Sequence, residues 1–104
     1  MTNTIKRVTP QALAILGVLE AAYRDGREVY GWEIRKAAGC HGPVVTGVLA
    51  RLEAAGALTA RWDDSPGRGP RRRYCRLTPE GAAEAAGILA AHREAAPAEG
   101  APSR

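Results

Sequence analysis

The chain has 104 residues, 45% of them hydrophobic and 25% charged, with no phenylalanine and a formal net charge of +4. This is the composition of one soluble domain with a modest core, to which self-association would add stability. No apolar run is long enough to span a bilayer and the opening MTNTIKRVTP lacks the apolar centre of a signal peptide, so membrane and secreted classes are set aside and the cytoplasm is expected.

Residues 1–9 are expected to form a flexible N-terminal arm. The first helix opens at TPQALAILGVLEAAYRDG, with Thr9 as N-cap and Pro10 in the first turn, where its missing N–H costs nothing. It stops at Asp25–Gly26. From Ala12 to Leu19 the run is apolar on nearly every side, which predicts cover from more than one direction, including a second subunit. A short second helix is expected over VYGWEIRKAAG. Trp32 or Tyr30 faces inward with Ile34, and Glu33, Arg35 and Lys36 face outward. The third helix, HGPVVTGVLARLEAAG, carries Pro43 near its first turn and stops at Gly56. Val45, Val48, Leu49 and Leu52 recur at helical spacing and face the core. Val44, Thr46, Gly47, Ala50 and Arg51 lie on the other faces, which are slim near the helix start.

ALTARW alternates Leu58, Ala60 and Trp62 with Thr59 and Arg61, a half-buried strand. RRRYCRL sets Arg73, Cys75 and Leu77 on one face and Arg72, Tyr74 and Arg76 on the other. The DDSPGRGP between them is rich in turn formers, so the pair forms a hairpin with a long tip. Then TPEGAAEAAGILAAHREAA repeats the Thr–Pro start and runs helical over 78–95, with Ala85, Ile88, Leu89 and His92 as its apolar stripe. Residues 96–104 are expected to be a disordered tail.

The charge is unevenly spread. Arg61 to Arg76 holds Arg61, Arg68, Arg71, Arg72, Arg73 and Arg76 against Asp63 and Asp64, while the other residues hold nine bases and nine acids. The whole excess sits on the hairpin, which points to a polyanionic partner. A solvated basic loop is the plainer alternative. The predicted fold class is mainly α with a small β-hairpin: three helices, a two-stranded wing and a C-terminal dimerisation helix, a winged helix-turn-helix over 10–77. Such a module places one helix in the major groove of double-stranded DNA and lays the hairpin along the backbone or minor groove.

YGWEIRKAAG, GVLARLEAAGALTARWDD and RRRYCRLTPEG, in this order and spacing, resemble the PadR family of winged helix-turn-helix transcription regulators. The resemblance covers roughly residues 10–92, and its most specific part is Arg73 to Gly81. It implies a homodimeric repressor whose last helix packs on the first helix of its partner. It also implies hydroxyl contacts to DNA from the start of helix three. Here that stretch is Gly42, Pro43, Val44, Val45 and Thr46, so only Thr46 keeps a hydroxyl and more of the affinity must come from arginines. The last helix is short for the family and leaves little room for an effector domain.

The expected DNA contacts are therefore Tyr30, His41, Val44, Thr46, Arg51, Arg68, Arg71, Arg72 and Arg73. Thr46 can bond a base edge or phosphate and Val44 can touch a thymine methyl. His41 can donate to a phosphate at the helix N-terminus, against the alternative of a loop residue without a ligand. Arg68 at the tip suits the minor groove, and Arg71 and Arg72 suit phosphates. Arg73 is divided between DNA and an internal acid, and Arg51 between DNA and an ion pair with Glu53 or another acid. Tyr30 offers its hydroxyl to a phosphate or packs in the core. Leu13, Leu16, Ile88, Leu89 and His92 are the expected dimer face.

Cys40 and Cys75 have no zinc spacing, so no metal and no cofactor are expected, and Cys75 faces the core. No nucleophile has a base beside it in the sequence, and GRGP lacks the lysine of a P-loop, so no enzyme is expected. Trp32, Trp62, Tyr23 and Leu89 are core residues or, alternatively, the lining of a small-molecule cavity; an effector is allowed but not indicated. The functional alternatives are a protein-interaction winged helix and an architectural or mobile-element DNA protein.

Overall fold

The computed structural model describes residues 8–63 and 71–95. Its elements are α1 (Pro10–Arg24), β1 (Val29–Tyr30), α2 (Gly31–Ala38), α3 (Gly42–Ala54), β2 (Leu58–Trp62), β3 (Arg73–Leu77) and α4 (Pro79–Ala95). The expected tip residue Arg68, most of the N-terminal arm and the tail lie outside the described residues.

α1 begins as its sequence dictates. The Thr9 hydroxyl accepts a hydrogen bond from the Ala12 N–H at 3.0 Å, and Pro10 occupies the first turn. Val8 already packs against the core, so the ordered fold starts ahead of the expected Pro10 boundary. Ile15, Leu16 and Leu19 project from α1 into the centre, where they meet Ile34 of α2, Val45, Val48 and Leu52 of α3, and Cys75 and Leu77 of β3. All four core positions expected in α3 are buried. Among the described residues no polar or charged side chain is buried.

The sheet holds one strand more than expected. Val29–Tyr30 pairs antiparallel with β3, giving the order β1-β3-β2, with Val29 opposite Cys75 and Tyr30 opposite Tyr74. These two residues, expected within helix two, form a strand instead. Two residues carry no periodicity of their own, and only their pairing partner makes them a strand. On the other side of β3, Cys75 opposes Ala60 and Tyr74 opposes Arg61. The rows therefore alternate between an apolar inner face and an outer face of tyrosine and arginine.

Several inward assignments need correction. Trp32 is 53% exposed and Trp62 is 52% exposed. Trp62 does share a sheet face with Leu58, but at the far end of β2 its ring meets the guanidinium groups of Arg71 and Arg73 instead of core side chains. Glu33, expected to face outward, is half-buried and accepts the Tyr30 N–H at 3.1 Å, satisfying a free amide at the start of α2.

The turns on either side of the hairpin are latched together. After α3, Gly56 adopts φ 80°, and the Gly56 and Ala57 amides donate back to the Glu53 and Leu52 carbonyls, which closes the helix with a Schellman motif. Thr78 then donates its hydroxyl to the Gly56 carbonyl at 3.1 Å, accepts from the Gly81 amide at 2.9 Å, and donates its own N–H to the Ala57 carbonyl at 2.9 Å. One threonine thus caps α4 and ties it to the end of α3.

Candidate nucleic-acid interface

α3 presents a stripe of modest side chains. Thr46 and Ala50 are exposed, and Glu53 continues the same helical face toward the C-terminus. Gly47 and Arg51 are exposed beside them, and Arg51 makes no ion pair with the described residues. Glu53, one of the expected partners of Arg51, is taken by Arg73. Val44 is half-buried and packs partly against the core, so only part of its surface is open to a ligand. His41 is the exposed N-cap of α3 and its side chain makes no capping bond. The aliphatic end of the Arg35 side chain and its Nε lie 3.8 Å from where a Cβ on Gly42 would stand. A guanidinium side chain therefore lies beside the same helix N-terminus.

The wing joins this stripe at its lower end. Arg73 Nη2 lies 2.8 Å from both carboxylate oxygens of Glu53. A single nitrogen makes both contacts, which is not the two-nitrogen fork of the strongest arginine–carboxylate pairs. Arg73 thus pairs with an internal acid, one of its two expected roles. Arg71 donates from Nε to the Asp63 carbonyl at 3.3 Å, and its guanidinium lies over Trp62 at 5.6 Å, with Arg73 at 6.0 Å from the same ring.

On the outer face a row of aromatics and guanidinium groups crosses all three strands. Tyr30 and Tyr74 meet edge to face with centroids 5.6 Å apart. Arg72 covers Tyr30 at 4.8 Å and Arg61 covers Tyr74 at 5.1 Å. Arg72 is further held in its protonated form, first by a hydrogen bond with Tyr74, and it forms no ion pair with a described acid. Tyr30 is half-buried beneath this guanidinium. Arg61 differs: it clasps Glu28 through Nε at 2.9 Å and Nη2 at 2.6 Å. That clasp holds the Glu28 carboxyl below the usual glutamate range, mainly through the hydrogen bond from Arg61. Arg76 lies over Tyr23 at 5.7 Å.

Glu53, Glu28, Tyr74 and Trp62 were not singled out at this surface by the sequence. The alternation of RRRYCRL does put Tyr74 and Arg72 on one face, but the cross-strand register that brings Tyr30 and Arg61 to them is set by pairing over tens of residues. Cys75 is buried as expected, and burial raises its thiol pKa, which makes it a packing residue rather than a reactive one. Cys40 is half-buried beside the Ala38 carbonyl. Among the described residues no group of three or more His, Cys, Asp and Glu could hold a metal ion, and no helix is long and apolar enough to cross a membrane.

At the expected dimer face Leu16 must be withdrawn. It has no exposed surface, because α1 turns it into the chain's own core. Ile88 is partly buried against the same core, Leu13 and Leu89 are half-buried, and His92 is exposed in the last turn of α4.

A family model described as the transcriptional regulator PadR-like family matches residues 15–87. No curated protein matches the chain. Among solved structures, a candidate DNA-binding protein of Ralstonia eutropha JMP134 is 28% identical with a TM-score of 0.65, over 80% of this chain and 99% of that one. MepR of Staphylococcus aureus bound to DNA is 26% identical with a TM-score of 0.64, over 83% of this chain and 65% of MepR. A PadR family transcription regulator of Clostridium difficile shares the fold, with a TM-score of 0.60 at 21% identity over 83% of this chain and 85% of that one.

Proposed function

The chain belongs to the transcriptional regulator PadR-like family, and from that premise we propose that it is a repressor that binds a roughly palindromic operator as a homodimer. Membership places it among regulators of transcription rather than enzymes. The observation that carries the DNA reading is the joining of the exposed α3 stripe to the wing through Glu53 and Arg73. The helix and the cationic hairpin thereby form one surface on which a duplex can rest. Small residues let α3 approach the floor of the major groove closely. Thr46, Val44 and Arg51 are its candidate base or backbone contacts. Arg71 and Arg72, both exposed on the wing, are the candidate phosphate contacts. His41 would meet a phosphate at the helix N-terminus, and Tyr30 acts by holding Arg72 as well as through its hydroxyl. Arg68 keeps its proposed minor-groove role by position in the sequence. MepR, similar in fold, has been solved on DNA, which supports DNA binding by this chain.

The dimer face is proposed to comprise Leu13 of α1 and Leu89 and His92 of α4, with Ile88 contributing its outer edge. Two recognition helices related by a two-fold axis would enter successive major grooves about one helical turn apart. Cytoplasmic location accords with this role.

The test is a fluorescence-anisotropy titration of the full chain with duplexes selected from genomic fragments and with random-sequence duplex, at several salt concentrations. Steep salt dependence with preference for the selected duplex is expected. Equal affinity for both duplexes indicates an architectural role, and no binding at low salt leaves a protein-interaction module.

A further inference from the structure

Two ion pairs of the described wing residues, Arg61 with Glu28 and Arg73 with Glu53, differ in a way that bears on how tightly the wing grips DNA in general. Glu28 holds Arg61 through two nitrogens on the outer face. Glu53 holds Arg73 through one nitrogen, at the junction of the α3 stripe and the wing. The Arg73 and Glu53 side chains are 41% and 37% exposed. A pair this exposed has most of its attraction screened by water and is easily exchanged.

We infer that Glu53 is a specificity-determining residue that acts as an internal stand-in for a DNA phosphate, competing with the duplex for Arg73. The inference rests on the DNA reading given above. Where a duplex lies loosely on the surface, Glu53 keeps Arg73 neutralised and adds its own repulsion toward the backbone. Where base contacts seat the duplex closely, a phosphate can take the place of the carboxylate. The device lowers sequence-indifferent affinity without removing an arginine from the operator complex.

Counter-ion arithmetic makes the competition measurable. An arginine that neutralises a phosphate releases about 0.9 of a condensed cation from the duplex. While that arginine stays on its carboxylate in a sequence-indifferent complex, it neutralises no phosphate and that release is missing from the slope. Removing the charge of Glu53 should restore the full term.

The experiment uses the full chain and a random-sequence duplex, and compares wild type, Glu53→Gln, Arg73→Gln and the double variant by anisotropy across a salt series. Glu53→Gln is expected to bind about two- to fivefold tighter, the equivalent of an exposed ion pair, with a salt slope steeper by about one per chain. The gain should vanish in the Arg73→Gln background. Equal or weaker binding by Glu53→Gln overturns the inference, because a pair that merely bolts the wing in place would loosen it. A gain that persists without Arg73 also overturns it, since Glu53 would then act only through general charge. Failure of wild type to bind duplex at low salt overturns the DNA reading itself, and this inference with it. Thermal melts of the four proteins confirm folding, which the exposure of both side chains favours.

Discussion

The guanidinium of Arg72 rests 4.8 Å above the ring of Tyr30, with Asp63 the smallest of the influences that favour its charge. An arginine held by an aromatic face keeps its charge available while losing rotamer freedom before the ligand arrives, which lowers the entropic cost of a phosphate contact. The platform is itself assembled from two strands, since Tyr30 leans edge-on against Tyr74 of β3. Charge and placement are therefore separable at this site.

Arg72→Gln should reduce duplex affinity and lower the salt slope by about one per chain, because one phosphate contact is lost. Tyr30→Leu should also weaken binding but leave the slope nearly unchanged, because the charge remains and only its positioning goes. Anisotropy titrations over a salt series distinguish the two. A slope loss in Tyr30→Leu equal to that of Arg72→Gln would mean that Arg72 cannot reach its phosphate without the ring beneath it.

Gly81 should tolerate no side chain. A Cβ there would stand 2.8 Å from the Ala57 carbonyl carbon and nearer still to its oxygen, and a backbone atom cannot rotate out of the way. Gly81→Ala is expected to destabilise the fold by about 2–4 kcal/mol, and Thr78→Ala by about 1 kcal/mol from the lost cap. Urea unfolding midpoints check both, and Gly87→Ala, with open space at its Cβ in the middle of α4, should instead stabilise by about 0.5–1 kcal/mol.

The Glu28–Arg61 clasp predicts a small acid sensitivity. The folded-state pKa of Glu28 is lowered by Arg61, so the pair's contribution is fully present above the ordinary glutamate pKa. It is lost as pH falls through the lowered folded value. Glu28→Gln should lose at most about 1 kcal/mol near neutrality, the ceiling for an exposed pair. Its stability should converge with wild type in strong acid. Denaturation curves collected from neutral to acid pH would show the convergence, and a constant offset would refute it.

Leu89 tests the assembly. Half-buried on α4, it should be covered by a second subunit, so Leu89→Asp is expected to sediment as a monomer at micromolar concentration. Duplex binding should weaken at least tenfold, on the order of the loss when two half-sites can no longer be held together. A variant that stays dimeric would place the interface elsewhere.

The helices and most of their inward faces were legible in the sequence because each depends on local rules. Thr9–Pro10 starts α1, Gly56 ends α3, and Val45, Val48, Leu49 and Leu52 repeat at helical spacing. The family signature was legible too, and the structure explains its end: Thr78 and Gly81 are where the chain passes closest to the α3 turn. The exposed tryptophans were not. Their hydrophobicity predicts burial on average, but what meets the Trp62 ring depends on which side chains the fold brings to the far end of β2.

What the sequence determined by itself was the order of elements, the concentration of arginine on the hairpin and the kind of partner that charge implies. Tertiary structure decided how the arginines are employed. Arg73 is neutralised by an acid twenty residues away in sequence, Arg61 by one thirty-three residues away, and Arg72 is set on a tyrosine from another strand. The physical reason is range. Helix starts, stops and periodicity are written in interactions over a few residues, whereas the pairing of a surface charge depends on strand register and on which face of a distant helix comes alongside.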